Sequence, residues 1–103
     1  LGNVIEGCVR GKMKEERWKV ESDYGIFTVR CPHQHTEGEK VYLLARPQPA
    51  ESEPNVMQGI AADVIFQQDR FKVTFENGLY VYLAKAPKAG GKISVKVKVE
   101  CLA

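Results

Sequence analysis

Two histidines and a cysteine fall within five residues in Cys31-Pro32-His33-Gln34-His35, the one cluster in the chain whose side-chain types suit a metal. Thiolates and imidazoles are the ligands of zinc, which gathers four donors in a tetrahedron, and neighbours at i and i+2 can supply two of them. No second Cys/His pair lies nearby in sequence, so the spacing predicts a solvated loop that holds two histidines, and no metal site. The other cysteines, Cys8 and Cys101, lie in strand-like segments and read as small core residues. Three cysteines without close spacing argue against a disulfide scaffold and fit a reducing compartment, with Cys8 and Cys31 as the pair that oxidation could join.

Other chemistry finds less support. Asp23, Asp63, Asp69 and Glu76 sit at turns or on polar strand phases, where no two of them form a general acid/base pair. No serine or cysteine has a base and an orienting group at a recognisable spacing. Gly7-Cys8-Val9-Arg10-Gly11-Lys12 has the glycines and lysine of a phosphate loop but lacks the Ser/Thr after lysine and the helix that must follow. Trp18, Phe27, Tyr42, Phe71, Tyr80 and Tyr82 could stack nucleobases on a barrel face. Fifteen basic residues against thirteen acidic ones give a net charge of only +2, however, and no dense basic block is present. No direct nucleic-acid partner is therefore expected, and a single-strand-binding domain stays an alternative.

The elements that must position these residues are strands. Alternation puts Phe27, Val29 and Cys31 on one face and Ile26, Thr28 and Arg30 on the other. Strands are also predicted at Lys40–Arg46, where Pro47 stops the run, at Ala61–Phe66, at Arg70–Phe75, at Leu79–Ala84 and at Lys92–Glu100. Asn77-Gly78 predicts a tight hairpin, because both residues tolerate positive φ. No window carries a capped helical stripe.

These segments repeat. Asn3-Val4-Ile5-Glu6-Gly7 recurs half a chain later as Asn55-Val56-Met57-Gln58-Gly59, and Trp18-Lys19-Val20 recurs as Phe71-Lys72-Val73. At 103 residues with 44% apolar content, each half is too small to bury a good core alone. The fold class expected is therefore all-β, a small OB-like barrel built from two similar intertwined halves, 1–47 and 55–103, joined by a polar, proline-bounded linker at 48–54. Starting on Leu1-Gly2 without methionine, the chain reads as an excerpt of a longer protein.

The openings, together with Gly38-Glu39-Lys40-Val41-Tyr42-Leu43-Leu44-Ala45-Arg46-Pro47 and the run Val64-Ile65-Phe66-Gln67-Gln68-Asp69, resemble the transport-associated oligonucleotide/oligosaccharide-binding-like (TOBE) domain. Gln68 stands where that family often has glycine. The resemblance implies the C-terminal regulatory and assembly domain of an ABC importer ATP-binding subunit, with no catalysis of its own. It also implies that the parent ATPase forms a homodimer, docks on integral membrane permease subunits and lies peripherally on the cytoplasmic side of the plasma membrane. ATP and magnesium would belong to the parent's preceding domain, and no cofactor is expected in this segment. Phe27, Val29, Tyr80 and Tyr82 are the expected surface members of an interface.

A branch of the same family binds molybdate, which gives the alternative function of a small-ligand or oxyanion module. Its ligand residues here would be Asn3, Asn55 and Lys92. Glu53, just before the second opening, would repel an anion.

Overall fold

The structure, a computed structural model, describes residues 2–102. Leu1 and Ala103, the outer ends of the two expected halves, lie outside the described residues. Among the described residues eight strands account for the regular structure: β1 (Asn3–Lys12), β2 (Arg17–Ser22), β3 (Gly25–Arg30), β4 (Lys40–Pro49), β5 (Val56–Gln67), β6 (Arg70–Phe75), β7 (Tyr80–Leu83) and β8 (Lys92–Cys101). The fold is all-β and consistent with a generic OB-like class.

The chain divides into two compact units. One runs from Val4 to Ala45 and takes up the chain again from Val99. Its hydrogen-bonded strand order is β3-β2-β1-β4-β8, with β1–β2 and β2–β3 antiparallel. Its core holds Ile5, Val9, Trp18, Val20, Phe27, Val29, Cys31, Val41, Leu43 and Val99. Phe27 and Val29, expected on the surface, are therefore core residues. Their register explains it, because Phe27 pairs with Val20 and Val29 with Trp18, so the apolar phases of β2 and β3 share one face.

The other unit comprises Arg46–Lys98 with the chain through Asn3. Its order is β4-β8-β5-β6-β7, and Met57, Ala61, Val73, Phe75, Leu79, Val81 and Val97 fill its core. β5 starts well before the predicted Ala61 because it changes partners. Val56–Ile60 pair with β8, whereas Ala61–Gln67 pair with β6 after a register shift between Ala61 and Asp63. Gly59, which weakens the strand signal in the sequence, lies in the first of these stretches.

Two further boundaries moved for identifiable reasons. β4 continues through Pro47, whose ring is fully buried in phase with Val41, Leu43 and Ala45, so packing outweighs the missing N–H. At the Asn77-Gly78 hairpin between β6 and β7 only Gly78 takes positive φ, at 91°. Gly78 N–H donates to Phe75 O and Phe75 N–H to Leu79 O, which makes a three-residue loop with glycine at the left-handed position, and β7 starts at Tyr80.

Candidate metal centre

Two strand ends and one pinned loop bring the reactive side chains together. Cys31 follows β3 and keeps its phase, and its N–H donates to Glu16 O at 2.9 Å. Cys101 closes β8 in phase with the buried Val97 and Val99, and the next N–H, of Leu102, donates to Tyr42 O at 2.8 Å. His35 sits in the loop before β4, whose far end is tied to β1 by Gly38 N–H to Val9 O and Val9 N–H to Glu39 O. Gly38 permits that turn with φ at 90°.

The Cys31 sulfur is 2.9 Å from His35 Nε2 and 2.7 Å from the Cys101 sulfur, and the three donor atoms all lie within 4.8 Å of one another. The other ring nitrogen of His35 is 2.6 Å from Glu39 Oε2, while Glu39 Oε1 accepts the Thr36 N–H at 3.1 Å. An ionised carboxylate only accepts, so Nδ1 carries a proton toward Glu39, and Nε2 is the ring nitrogen that faces the sulfurs. Trp18 walls the group: its ring meets His35 edge-on at 5.2 Å, and its Nε1–H donates to the Cys31 carbonyl at 3.3 Å. The His35 side chain is 4% exposed as a result.

Burial, and then the hydrogen bond to Cys101, push the Cys31 thiol up to about 11. The His35 hydrogen bond, and after it the Thr36 N–H, hold the Glu39 carboxyl below its ordinary value. Two sulfurs and an imidazole suit zinc(II) or copper(I), with a fourth position left to an outside ligand. In a tetrahedral site with metal–sulfur bonds of about 2.3 Å the two sulfurs stand ~3.8 Å apart, so a bound ion would part them by roughly 1 Å.

The expectation that this segment holds no cofactor site is thereby corrected. The loop does not merely carry two solvated histidines: His33 is exposed, but His35 is not, and its missing partner arrives from the far end of the sequence. Cys101 was the residue that spacing could not supply. Its phase was readable, since Ile93, Val95, Val97, Val99 and Cys101 alternate onto one face just as Phe27, Val29 and Cys31 do.

The residues expected to hold an anion are placed otherwise. Asn3 is buried and pairs both ends of its amide with one backbone unit, donating to Tyr80 O and accepting from Tyr80 N–H, each at 2.9 Å. Asn55 is buried, with its carbonyl accepting the Val97 N–H. Lys92 is exposed at the start of β8, opposite Ile60. In the open groove beside β1, the Arg10 guanidinium places both Nε and an Nη on Glu21 Oε1, at 3.0 and 2.7 Å, so its charge is already answered. Of the aromatics expected to stack bases, Trp18 and Phe27 are buried, and Tyr80 and Tyr82 have Lys72 and Arg70 over their rings.

No known family model matches the chain, and no curated protein matches it. The transporter vocabulary drawn from the resemblance is corrected accordingly: ABC transporter, TOBE domain and membrane association are not assigned to this chain. Among the described residues no helix is long and apolar enough to cross a membrane.

Proposed function

We propose that this chain is a small-ligand-binding module whose ligand is a thiophilic metal cation, zinc(II) or copper(I), held by Cys31, His35 and Cys101. One observation carries the reading: two thiols and an imidazole converge while a carboxylate on the far imidazole nitrogen fixes the tautomer that ligates. A core cysteine pair needs no such carboxylate. The cation reading also fits the chemistry better than the oxyanion one, because the donors here become anionic thiolates, which repel oxyanions and attract metals.

The reading assigns binding and not turnover. It is tested by titrating the reduced, metal-free protein with cobalt(II) and then zinc(II). Thiolate-to-cobalt charge-transfer absorption at a stoichiometry of one ion per chain, displaced by zinc, is the expected result. The single Trp18 reports on the same event, since its ring lies against His35. Cys31→Ser and His35→Ala are expected to lose about 100-fold or more in affinity, by analogy with the loss of outer partners, which already costs about 10- to 100-fold. An absorption spectrum free of sulfur charge transfer, or affinity unchanged in both variants, rules the site out.

A further inference from the structure

We propose that Cys31 and Cys101 are a reversible dithiol/disulfide pair, so that a two-electron oxidant of the peroxide class and a metal ion compete for the same two sulfurs. The competition with metal rests on the function proposed above; the disulfide does not.

The argument is geometric. Both cysteines are reduced, and their sulfurs are 2.7 Å apart although the residues are separated by most of the chain. Forming a bond of about 2.05 Å requires the sulfurs to close by only ~0.7 Å, whereas holding a metal requires them to open by roughly 1 Å. The pair therefore sits between two closed forms of one site. The backbone on both sides is tethered, through Cys31 N–H to Glu16 O and Leu102 N–H to Tyr42 O, so the sulfurs stay in register while the bond is absent. Cys8 is not in the cluster, so the cysteine beside Cys31 is Cys101 and not Cys8, the pair that oxidation could have joined.

Chemical roles follow from exposure. Cys101 is half-buried and Cys31 is buried, so the oxidant meets Cys101 first. The Cys101 thiolate attacks one peroxide oxygen, the O–O bond breaks, and Cys101 becomes a sulfenic acid as hydroxide leaves and is protonated to water. The Cys31 sulfur then attacks the Cys101 sulfur and its proton passes to His35 Nε2, 2.9 Å away. The S–S bond forms, the S–O bond breaks, and the departing hydroxide takes that proton to leave as a second water. Two thiols have lost two protons and two electrons, and the peroxide has been reduced to two waters. A dithiol reductant reverses the change by exchange.

The test uses the full chain, stripped of metal by a chelator and reduced, then treated with stoichiometric hydrogen peroxide. Peptide mapping is expected to show a Cys31–Cys101 crosslink with Cys8 still alkylatable. The crosslink should survive in Cys8→Ser, disappear in Cys101→Ser and reverse with dithiothreitol. Prior loading with zinc is expected to slow crosslinking at least tenfold. A crosslinked chain should bind zinc at least 100-fold more weakly than the reduced one.

A crosslink in a chain whose reduced form ignores zinc supports the dithiol pair and removes the metal reading. Zinc bound one to one without any Cys31–Cys101 crosslink, or oxidation that proceeds to sulfinic acid or to Cys8 instead, overturns the inference and leaves the metal site standing.

Discussion

Glu39 holds His35 by a 2.6 Å bond from imidazole Nδ1 to carboxylate Oε2, and that bond decides which nitrogen faces the two sulfurs. The carboxylate is itself fixed, because its second oxygen accepts the Thr36 N–H and the Glu39 N–H returns to Thr36 O at 3.0 Å. The loop is thus a built support for one ring orientation. Replacing Glu39 with glutamine keeps an acceptor but removes the charge that favours Nδ1–H. Zinc affinity is expected to fall about 10-fold in Glu39→Gln and up to about 100-fold in Glu39→Ala. Competition with a chromophoric chelator measures both, and unchanged affinity in Glu39→Ala would show that the carboxylate does not orient the ligand.

Protons should compete with the metal. Burial raises the Cys31 thiol to about 11, so at neutral pH the metal must displace a proton from it. The titratable groups facing it are Cys101, His35 and Glu39. Apparent zinc affinity is expected to rise about tenfold per pH unit for each thiol proton released. The fold responds oppositely. A thiol whose proton is held more tightly in the native state stabilises it fully below the unfolded value of about 8.5, and that contribution is lost as pH rises toward about 11. Metal-free protein should therefore melt lower in mild alkali, while zinc-loaded protein should not. Calorimetric titrations in buffers of different ionisation enthalpy count the protons, and a pH-independent affinity would mean that Cys31 is no ligand.

The repeated openings predict a shared sensitivity. Gly7 and Gly59 occupy the same position in the two copies, and each has a cross-strand side chain where a Cβ would go. That neighbour is Val20 Cγ1 for Gly7 and the Phe75 ring, at 2.6 to 2.7 Å, for Gly59. Both neighbours are buried and cannot retreat. Gly7→Ala and Gly59→Ala are each expected to lose about 1–3 kcal/mol through overpacking. Gly11→Ala, on the same strand as Gly7 with nothing within 4 Å of the added atom, should be neutral or slightly stabilising. Urea denaturation of the three variants separates close packing from general strand propensity; equal stabilities would dispose of the explanation.

What the sequence revealed divides along local and non-local lines. Strand β6 was read to the residue, and the alternation in β3 identified the face on which Cys31 lies, because a period of two is written in neighbouring residues. The full reach of β5 was not legible, since its first five residues are held by β8, far along the chain. The metal cluster failed to appear for the same reason. Cys31 and His35 are close in sequence, but Cys101 comes to them from 70 residues away, and Glu39 meets His35 only through the turn between them. Asn3, which suggested a ligand contact, holds the Tyr80 backbone with its side-chain amide.

The turn between β5 and β6 offers a gain in stability. Gln67 pairs with Arg70, which leaves Gln68 and Asp69 as a two-residue loop, and only Gln68 has positive φ, at 59°. A two-residue hairpin whose first central residue alone is left-handed favours glycine there. For glutamine that conformation costs about 1–2 kcal/mol, because Cβ crowds the carbonyl oxygen. Glycine removes the clash but gives the unfolded chain more freedom, which returns about 0.5–1 kcal/mol. The difference favours Gln68→Gly by up to about 1.5 kcal/mol. Gln68 is exposed, so no packing is lost with its side chain. Gln68→Ala separates the two effects, since alanine keeps the strained Cβ and should gain nothing. Thermal melts of the metal-free, reduced proteins decide it. A Gln68→Gly chain that melts no higher than the wild type would mean that the turn is not strained at Gln68.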